Sequence, residues 1–239
     1  MKDFIKKFVG IGMDNEANRV GWVETTLKKI PAGLRILDAG AGERQYQKFC
    51  SHLKYVSQDF AQYNGRGDSS GLQTEKWNNE GLDIVSDITA IPQPDGSFDA
   101  VMCTEVLEHV PDPVLAIKEL SRLIKSGGWL IITAPFCSAT HFSPYHFCTG
   151  FNRYFYERHL PANGFKIMEM TPNGNFFDYV AQEILRAPEM AGRYAKKHMY
   201  PWDYAIAFLM LKILKRFSKH GQSSSEFLTY GYHVLAVKQ

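Results

Sequence analysis

Apolar and polar positions alternate along the chain with two different periods, so strands and helices are expected in turn. Residues 15–30 carry apolar side chains at helical spacing and predict an amphipathic helix, which Pro31 and Gly33 end. Short, largely apolar runs then predict four strands, at residues 34–39, 54–59, 82–86 and 98–103.

The middle of the chain continues this rhythm. Residues 113–124 have one apolar face and predict a second helix, which Gly127 and Gly128 are expected to stop. Residues 129–135 form a continuous apolar run that predicts a buried strand. Strands that are apolar almost throughout and alternate with helices are typical of a parallel sheet covered on both faces. The predicted fold class is therefore α/β and Rossmann-like.

The pattern changes beyond Pro135. We predict a helix over residues 153–163, a strand over 165–170 and a last strand over 231–238. Between the last two strands, residues 174–228 predict a helical lid or insertion within a single domain of residues 1–239.

Composition narrows the function classes. The 27 basic and 25 acidic residues leave a net charge of +2, which argues against nucleic acid as a partner because no general positive field results. None of the four cysteines forms a C-x-x-C pair, so reduced thiols and a cytoplasmic protein are expected. No apolar run approaches the ~20 residues that span a bilayer.

A glycine turn follows the first predicted strand, at Asp38-Ala39-Gly40-Ala41-Gly42. Two glycines keep the turn free of side chains, so a ligand can approach the backbone closely, and a following helix would offer its N–H groups. Gln45 stands where a dinucleotide-binding turn has its third glycine, which disfavours pyrophosphate. The acidic residue inside the strand suits a ligand that carries an ammonium and a sulfonium.

Two further strand ends carry carboxylates. Asp59 closes the second strand at the place where Rossmann-type sites hold ribose hydroxyls, and ribose binding is favoured over a surface acid there. Asp87 and Ile88 follow the third strand. A side-chain acceptor beside a backbone N–H matches the edge of adenine, although a simple turn acid is the alternative.

The ordered set of motifs resembles class I S-adenosylmethionine (SAM)-dependent methyltransferases, above all the O-methyltransferases of ubiquinone biosynthesis. The resemblance rests on ILDAGAGE, on Asp59, on SDITAIPQPDGSFDAVMCTEVLEHVPDP and on KSGGWLIITAP, and it covers roughly residues 20–135. It implies SAM as cofactor and a seven-stranded sheet whose last strand, residues 231–238, is antiparallel. It also implies that Cys103 and Glu105 line the cofactor.

The same resemblance leaves the methyl acceptor open. Residues 174–228 do not match the ubiquinone enzymes, whereas the loop PFCSATHFSPYHFCTGF loosely resembles methyltransferases of polysaccharide and lipid-glycan pathways. We expect a small-molecule, glycan or lipid-linked acceptor. An RNA 2′-O-methyltransferase and a SAM-binding protein without turnover are the alternatives. The oligomeric state is not predicted.

Two sets of residues are candidates for the chemistry. His141 and His146 follow the fifth strand, where an imidazole can take a hydroxyl proton near neutral pH. Glu105, Glu108 and His109 would share a face if this segment turned helically. With His141 or His146 they could hold Mg²⁺ or Zn²⁺, as in the E-x-x-E-H of small-RNA 2′-O-methyltransferases. The metal-free base is the preferred hypothesis.

Residues 202–220 form the most apolar predicted helix. Its apolar stripe lies opposite several basic residues, which permits two interpretations. A lid packed on the sheet or on a second subunit is favoured. The alternative is a helix that lies on a membrane surface, apolar side down. The stripe consists of Ile206, Leu209, Met210, Ile213, Leu214 and Phe217.

Overall fold

A computed structural model describes residues 9–239 and contains five α-helices and seven strands in that range. The helices are α1 (Asn15–Leu27), α2 (Pro113–Leu123), α3 (Arg153–Ala162), α4 (Phe176–Met190) and α5 (Pro201–Ser218). The strands are β1 (Arg35–Ala39), β2 (Lys54–Asp59), β3 (Ile84–Val85), β4 (Phe98–Thr104), β5 (Ile124–Pro135), β6 (Phe165–Asn173) and β7 (Gly231–Lys238).

The strands form one sheet in the order β3-β2-β1-β4-β5-β7-β6. Strand β1 pairs in parallel with β2 and with β4, and β4 pairs in parallel with β5. Strand β7 pairs antiparallel with β5, placing Leu130 opposite Ala236. The reversal of strand order at β1 and β4 creates a switch point, where such sheets bind ligands at the carboxyl ends of their strands. The predicted Rossmann-like sheet with an antiparallel last strand is confirmed.

Alternate residues of the central strands pack on opposite faces of the sheet. Leu37 and Val101 belong to a core cluster that includes apolar residues of α2 and α3, such as Ile117. Ile36 belongs to a second cluster that includes Val23 of α1. Each strand is apolar on both sides because both faces of the sheet are covered, as the continuous apolar runs predicted.

Two local predictions are wrong. Gly127 and Gly128 do not stop α2, because the chain enters β5 directly at Ile124 and both glycines lie within that strand. No α-helix follows the glycine turn either. Only a short 3₁₀ helix, Gln47–Phe49, lies between the turn and β2.

The chain packs as two compact units. One comprises Arg19–Thr171 with Gly231–Gln239, and the other comprises Pro172–Tyr230 with residues 9–18. In the second unit, α5 packs through Leu211 and Leu214 against Ala181 of α4. Within residues 9–239 no helix combines the length and apolarity needed to cross a membrane.

The stripe predicted on α5 lies largely on the exposed side of the helix, not the buried one. Ile206 and Leu209 are each more than 60% exposed, at 65% and 62%, and Met210 and Phe217 are also exposed. Only Leu214 of the predicted stripe is fully buried. The buried side is the one that carries Leu211, because α4 covers that side.

Candidate functional site

The glycine turn follows β1 and is hydrogen-bonded to the carboxyl end of β2. The N–H groups of Gly40 and Ala41 both donate to the carbonyl oxygen of Gln58, at 2.8 Å each. Gly40 and Gly42 adopt φ angles of +77° and +50°, in the region that L side chains rarely enter.

Close packing is a second reason for these glycines. A Cβ on Gly40 would lie 2.4 Å from Val106, and one on Gly42 would lie 2.6 Å from the indole of Trp77. The glycine spacing alone predicts that a ligand fills the space beside these residues. The structure shows that protein side chains occupy part of it.

Asp38 lies buried at the end of β1. Its Oδ2 accepts a hydrogen bond from the Tyr55 hydroxyl at 2.6 Å, and its Oδ1 has no hydrogen-bond partner among the described residues. Burial raises the pKa of this carboxyl to about 7, although the hydrogen bond from Tyr55 opposes the shift. A cationic ligand would supply the missing partner for Oδ1.

Asp59 is brought directly to the turn. Its Oδ2 accepts from the N–H of Gly42 and its Oδ1 from the N–H of Ala61, both at 2.9 Å. Each carboxylate oxygen retains a further lone pair for another donor, such as a ribose hydroxyl. Asp38, Gly40, Gly42 and Asp59 are called the glycine-turn region below.

Asp87 and Ile88 lie just beyond β3. The Asp87 side chain is exposed and accepts from the N–H and the hydroxyl of Thr89, at 2.8 and 2.7 Å, which is the simple turn that was the alternative to adenine binding. Ile88 is buried in the core. The Gln58 side chain donates to the Ser86 carbonyl at 2.7 Å and so ties this segment to the end of β2.

Cys103 and Glu105 differ in their access to the site. Cys103 is fully buried in the core, because it points to the same face of β4 as Val101. The structure therefore does not bring its side chain to the site. Glu105 has a φ of +53° and accepts hydrogen bonds from Arg19 and Thr133, at 3.0 Å each. Glu105 lies before the 3₁₀ helix Leu107–His109 and its φ is left-handed, so residues 105–109 do not form one helical turn and the predicted shared face does not form.

Three histidines converge beyond β4 and β5. The rings of His141 and His146 lie 4.8 Å apart between centroids, and the His109 ring lies 4.6 Å from that of His141. His146 shares a hydrogen bond between Nε2 and the Ser138 hydroxyl at 3.1 Å. Burial and the neighbouring His141 lower the pKa of His146, so its imidazole is neutral near pH 7 and can accept a proton.

Glu108 lies beside these histidines on the 3₁₀ helix Leu107–His109 and is completely buried. Desolvation and the nearby charge of Glu105 raise its pKa well above the ordinary value. Glu108, His109, His141 and His146 are called the Glu–His cluster below. Of the predicted metal ligands, Glu108, His109 and His141 come together, whereas Glu105 does not.

Sequence reasoning missed the aromatic side chains that connect the two regions. Trp77, which packs on Gly42, has its ring centroid 5.2 Å from that of Phe142. Phe142 in turn stacks on His109, with their ring centroids also 5.2 Å apart. Tyr63 stacks on the other side, 4.5 Å from Phe142. Residues 60–81 contain four glycines and no clear period, so the only available signal was that of a loop.

Comparison with known proteins agrees with this geometry. Residues 37–132 match the family model described as a methyltransferase domain. The ubiquinone biosynthesis O-methyltransferase of Leptothrix cholodnii is 32% identical over 124 residues, which cover 48% of this chain and 49% of that enzyme. The chain thus spans about half the length of the curated relatives it matches.

Solved structures share the whole fold. A SAM-dependent methyltransferase from Archaeoglobus fulgidus matches with a TM-score of 0.54 and 15% identity over 98% of both chains. The [4+2]-cyclase SpnF matches with the same TM-score and 18% identity, over 93% of this chain and 80% of the cyclase. At such identities the likeness shows the fold alone. Residues 37–132 thus resemble a methyltransferase domain, and the sheet order and the glycine turn agree with that resemblance.

Proposed function

We propose that the protein binds SAM at the glycine-turn region and transfers its methyl group to a hydroxyl acceptor. One observation carries the proposal: Val106, which packs on Gly40, lies on the same short segment as Glu108 and His109. A cofactor on the turn would therefore lie close to groups able to handle protons. The name of the Leptothrix relative, an O-methyltransferase, supports oxygen as the acceptor atom.

The cofactor contacts follow from the local geometry. Asp38 would pair with the ammonium of SAM through its unpartnered Oδ1, and Asp59 would accept the ribose hydroxyls. The backbone of Ile88 would face the adenine beside Asp87, whose carboxylate retains acceptor capacity although one oxygen already accepts from Thr89, and Glu105 would line the methionine part. Cys103 would act only as packing behind these residues, since it is fully buried.

The methyl transfer needs no general acid, because the leaving group is neutral. The acceptor oxygen forms a bond to the methyl carbon, the carbon–sulfur bond breaks, and its electron pair leaves with a neutral thioether. The acceptor proton passes to a neutral histidine, for which His141 and His146 are the candidates. Holding oxygen, methyl carbon and sulfur in line supplies much of the remaining rate.

The helical unit favours an acceptor held at a lipid surface. On α5, Trp202, Ile206 and Leu209 are each more than 60% exposed, and Lys212, Arg216 and Lys219 lie along one side of this apolar stripe. Apolar contacts beside cations match an anionic bilayer surface. We therefore propose a cytoplasmic protein that attaches peripherally to membranes and acts on a lipid-linked or other small hydroxyl compound.

A SAM-binding protein without methyl transfer is the second candidate. The likeness to SpnF, named as a cyclase, favours it, because this fold also occurs in proteins named for other reactions.

Two measurements test the proposal. Purified protein freed of bound ligand should bind SAM with micromolar-range affinity, about −8 kcal/mol by calorimetry. It should also transfer labelled methyl from SAM to one member of a panel of catechols, lipid-linked glycans and RNA. Binding without transfer to any member would favour the second candidate, and absence of SAM binding would overturn both.

Membrane attachment has its own test. The protein should sediment with vesicles of anionic phospholipid, and Ile206→Ser with Leu209→Ser should reduce the bound fraction strongly. Tyr154→Ser is the matched control, because Tyr154 is equally exposed, at 62%, but lies on α3 of the sheet unit. Equal sedimentation of both variants, or none by the wild type, would contradict a lipid surface as partner.

A further inference from the structure

Glu108 is a buried carboxylate without a partner. Its side chain has no exposure, and neither oxygen accepts a hydrogen bond from another of the described residues. Leaving a buried polar group unsatisfied costs about 1–3 kcal/mol, and more for a charged group. Most buried polar groups in proteins are paired, so this one calls for a partner that residues 9–239 do not provide.

Two histidines point the same atom at this carboxylate. Nε2 of His109 lies 3.7 Å from Oε1 of Glu108, and Nε2 of His141 lies 3.9 Å from the same oxygen. Both distances exceed those of hydrogen bonds. Direct pairing between the histidines and Glu108 therefore does not explain the arrangement.

Backbone contacts select the tautomer of both rings. Nδ1 of His109 lies 2.5 Å from the Tyr145 carbonyl oxygen, and Nδ1 of His141 lies 2.9 Å from that of Ala139. A carbonyl oxygen only accepts, so each Nδ1 carries the hydrogen and each Nε2 of the neutral ring presents a lone pair. This is the arrangement of histidines that bind metals, where a backbone carbonyl commonly orients the ring.

We propose that Glu108, His109 and His141 bind one divalent first-row transition metal ion, with Zn²⁺ as the best match. One ligand atom from each residue lies within 4.8 Å of the other two, so a modest contraction would bring all three to an ion. Two imidazoles and one carboxylate form a donor set typical of catalytic zinc, whereas Mg²⁺ prefers oxygen ligands throughout. Three protein ligands leave a position open.

The open position gives the ion a role in the proposed methyl transfer, and this part of the inference rests on the proposed function. An acceptor hydroxyl bound there would lose its proton more readily. His141 would then be a ligand, and His146, whose ring lies 4.8 Å from that of His141, would remain to take the proton.

Calorimetric titration of the full chain with Zn²⁺, after dialysis against a chelator, tests the site directly. One equivalent should bind to the wild type, and stoichiometric binding should be lost in Glu108→Gln and in His141→Ala. Glu105→Gln is the matched control. It removes the charge of a neighbouring carboxylate that accepts hydrogen bonds from Arg19 and Thr133 and adds no ligand atom to the group of Glu108, His109 and His141, so stoichiometric Zn²⁺ binding should be retained.

A thermal melt distinguishes loss of the site from loss of the fold. Zn²⁺ should raise the Tm of the wild type and of Glu105→Gln. The Glu108→Gln variant should still unfold cooperatively, which shows that it is folded, but Zn²⁺ should not raise its Tm. No stoichiometric binding by the wild type, or unchanged binding by Glu108→Gln and His141→Ala, would overturn the metal site. A SAM titration on the same sample separates the two proposals. Binding of SAM without binding of Zn²⁺ refutes only the metal site, and binding of Zn²⁺ without binding of SAM refutes only the proposed methyl transfer.

Discussion

The glycine-turn region and the Glu–His cluster satisfy their buried polar groups differently. In the glycine-turn region, Asp59 accepts two backbone N–H groups and Asp38 accepts the Tyr55 hydroxyl, so one carboxylate oxygen alone lacks a partner there among the described residues. In the Glu–His cluster, both oxygens of Glu108 and Nε2 of His109 lack one.

This difference separates two tasks. A region whose hydrogen bonds are already made is ordered before its ligand arrives, and it contributes mainly to affinity. A cluster that holds several unpaired acceptors gains most when an ion or reacting group enters it, so it contributes mainly to chemistry. We therefore expect changes in the first region to alter SAM binding and changes in the second to alter turnover.

The largest effect is expected at the turn. Gly40→Ala should remove detectable SAM binding, because its Cβ would lie 2.4 Å from Val106 at a φ of +77° and would displace the turn. Gly33→Ala is the matched control, since Gly33 has a φ of +81° but open space around it. It should bind SAM normally and lose only about 1 kcal/mol of stability. Titration calorimetry measures SAM binding and scanning calorimetry measures stability. Normal SAM binding by Gly40→Ala would refute the importance of this packing.

His146→Ala should affect turnover instead. Methyl transfer should fall about 10²–10⁴-fold, the usual contribution of a positioned base, while SAM affinity stays unchanged. Phe147→Ala serves as control, because the neighbouring side chain is half exposed and only its backbone N–H contacts Glu108. Undiminished turnover in His146→Ala would leave positioning as the main source of rate.

Asp59→Ala should weaken SAM binding by about 1.5–3 kcal/mol, the range for hydrogen bonds to a charged group. The variant removes the acceptor of the Gly42 and Ala61 N–H groups as well as the expected acceptor of the ribose. Asp59→Asn retains one acceptor oxygen and should lose less. If both variants bind SAM as the wild type does, Asp59 has no part in the cofactor site.

The smallest effect concerns pH. Burial raises the pKa of Asp38 to about 7, so its carboxyl is largely protonated at pH 6 and ionised at pH 8. If the carboxylate binds the ammonium of SAM, affinity should fall about 10-fold from pH 8 to pH 6. The ligand's own amino group titrates in every variant, so the difference between wild type and Asp38→Asn is the quantity to measure. An identical pH dependence in both would exclude this contact.

Elements that are defined by neighbouring residues agree with the sequence-based prediction better than elements that depend on distant contacts. The strands β2 and β7 match their predicted bounds, because apolar periodicity and neighbouring turn residues define a strand locally. The end of α2 did not match, because Gly127 belongs to the irregular start of β5, where the register with β4 shifts. A glycine signals a break in helical periodicity, but it does not reveal which structure follows.

For the site, the residue types and their order along the chain could be read without a structure. Asp38, Gly40 and Asp59 could be assigned to one region in advance, since the carboxyl ends of adjacent parallel strands meet at one edge. Which side chains meet across loops is known only from the folded chain. The fold replaced Glu105 by His141 beside Glu108, and it placed Trp77 on Gly42. Loops lack the fixed periodicity that lets spacing predict direction, so contacts between the loops after β2, β4 and β5 appear only once the sheet has brought those strand ends together.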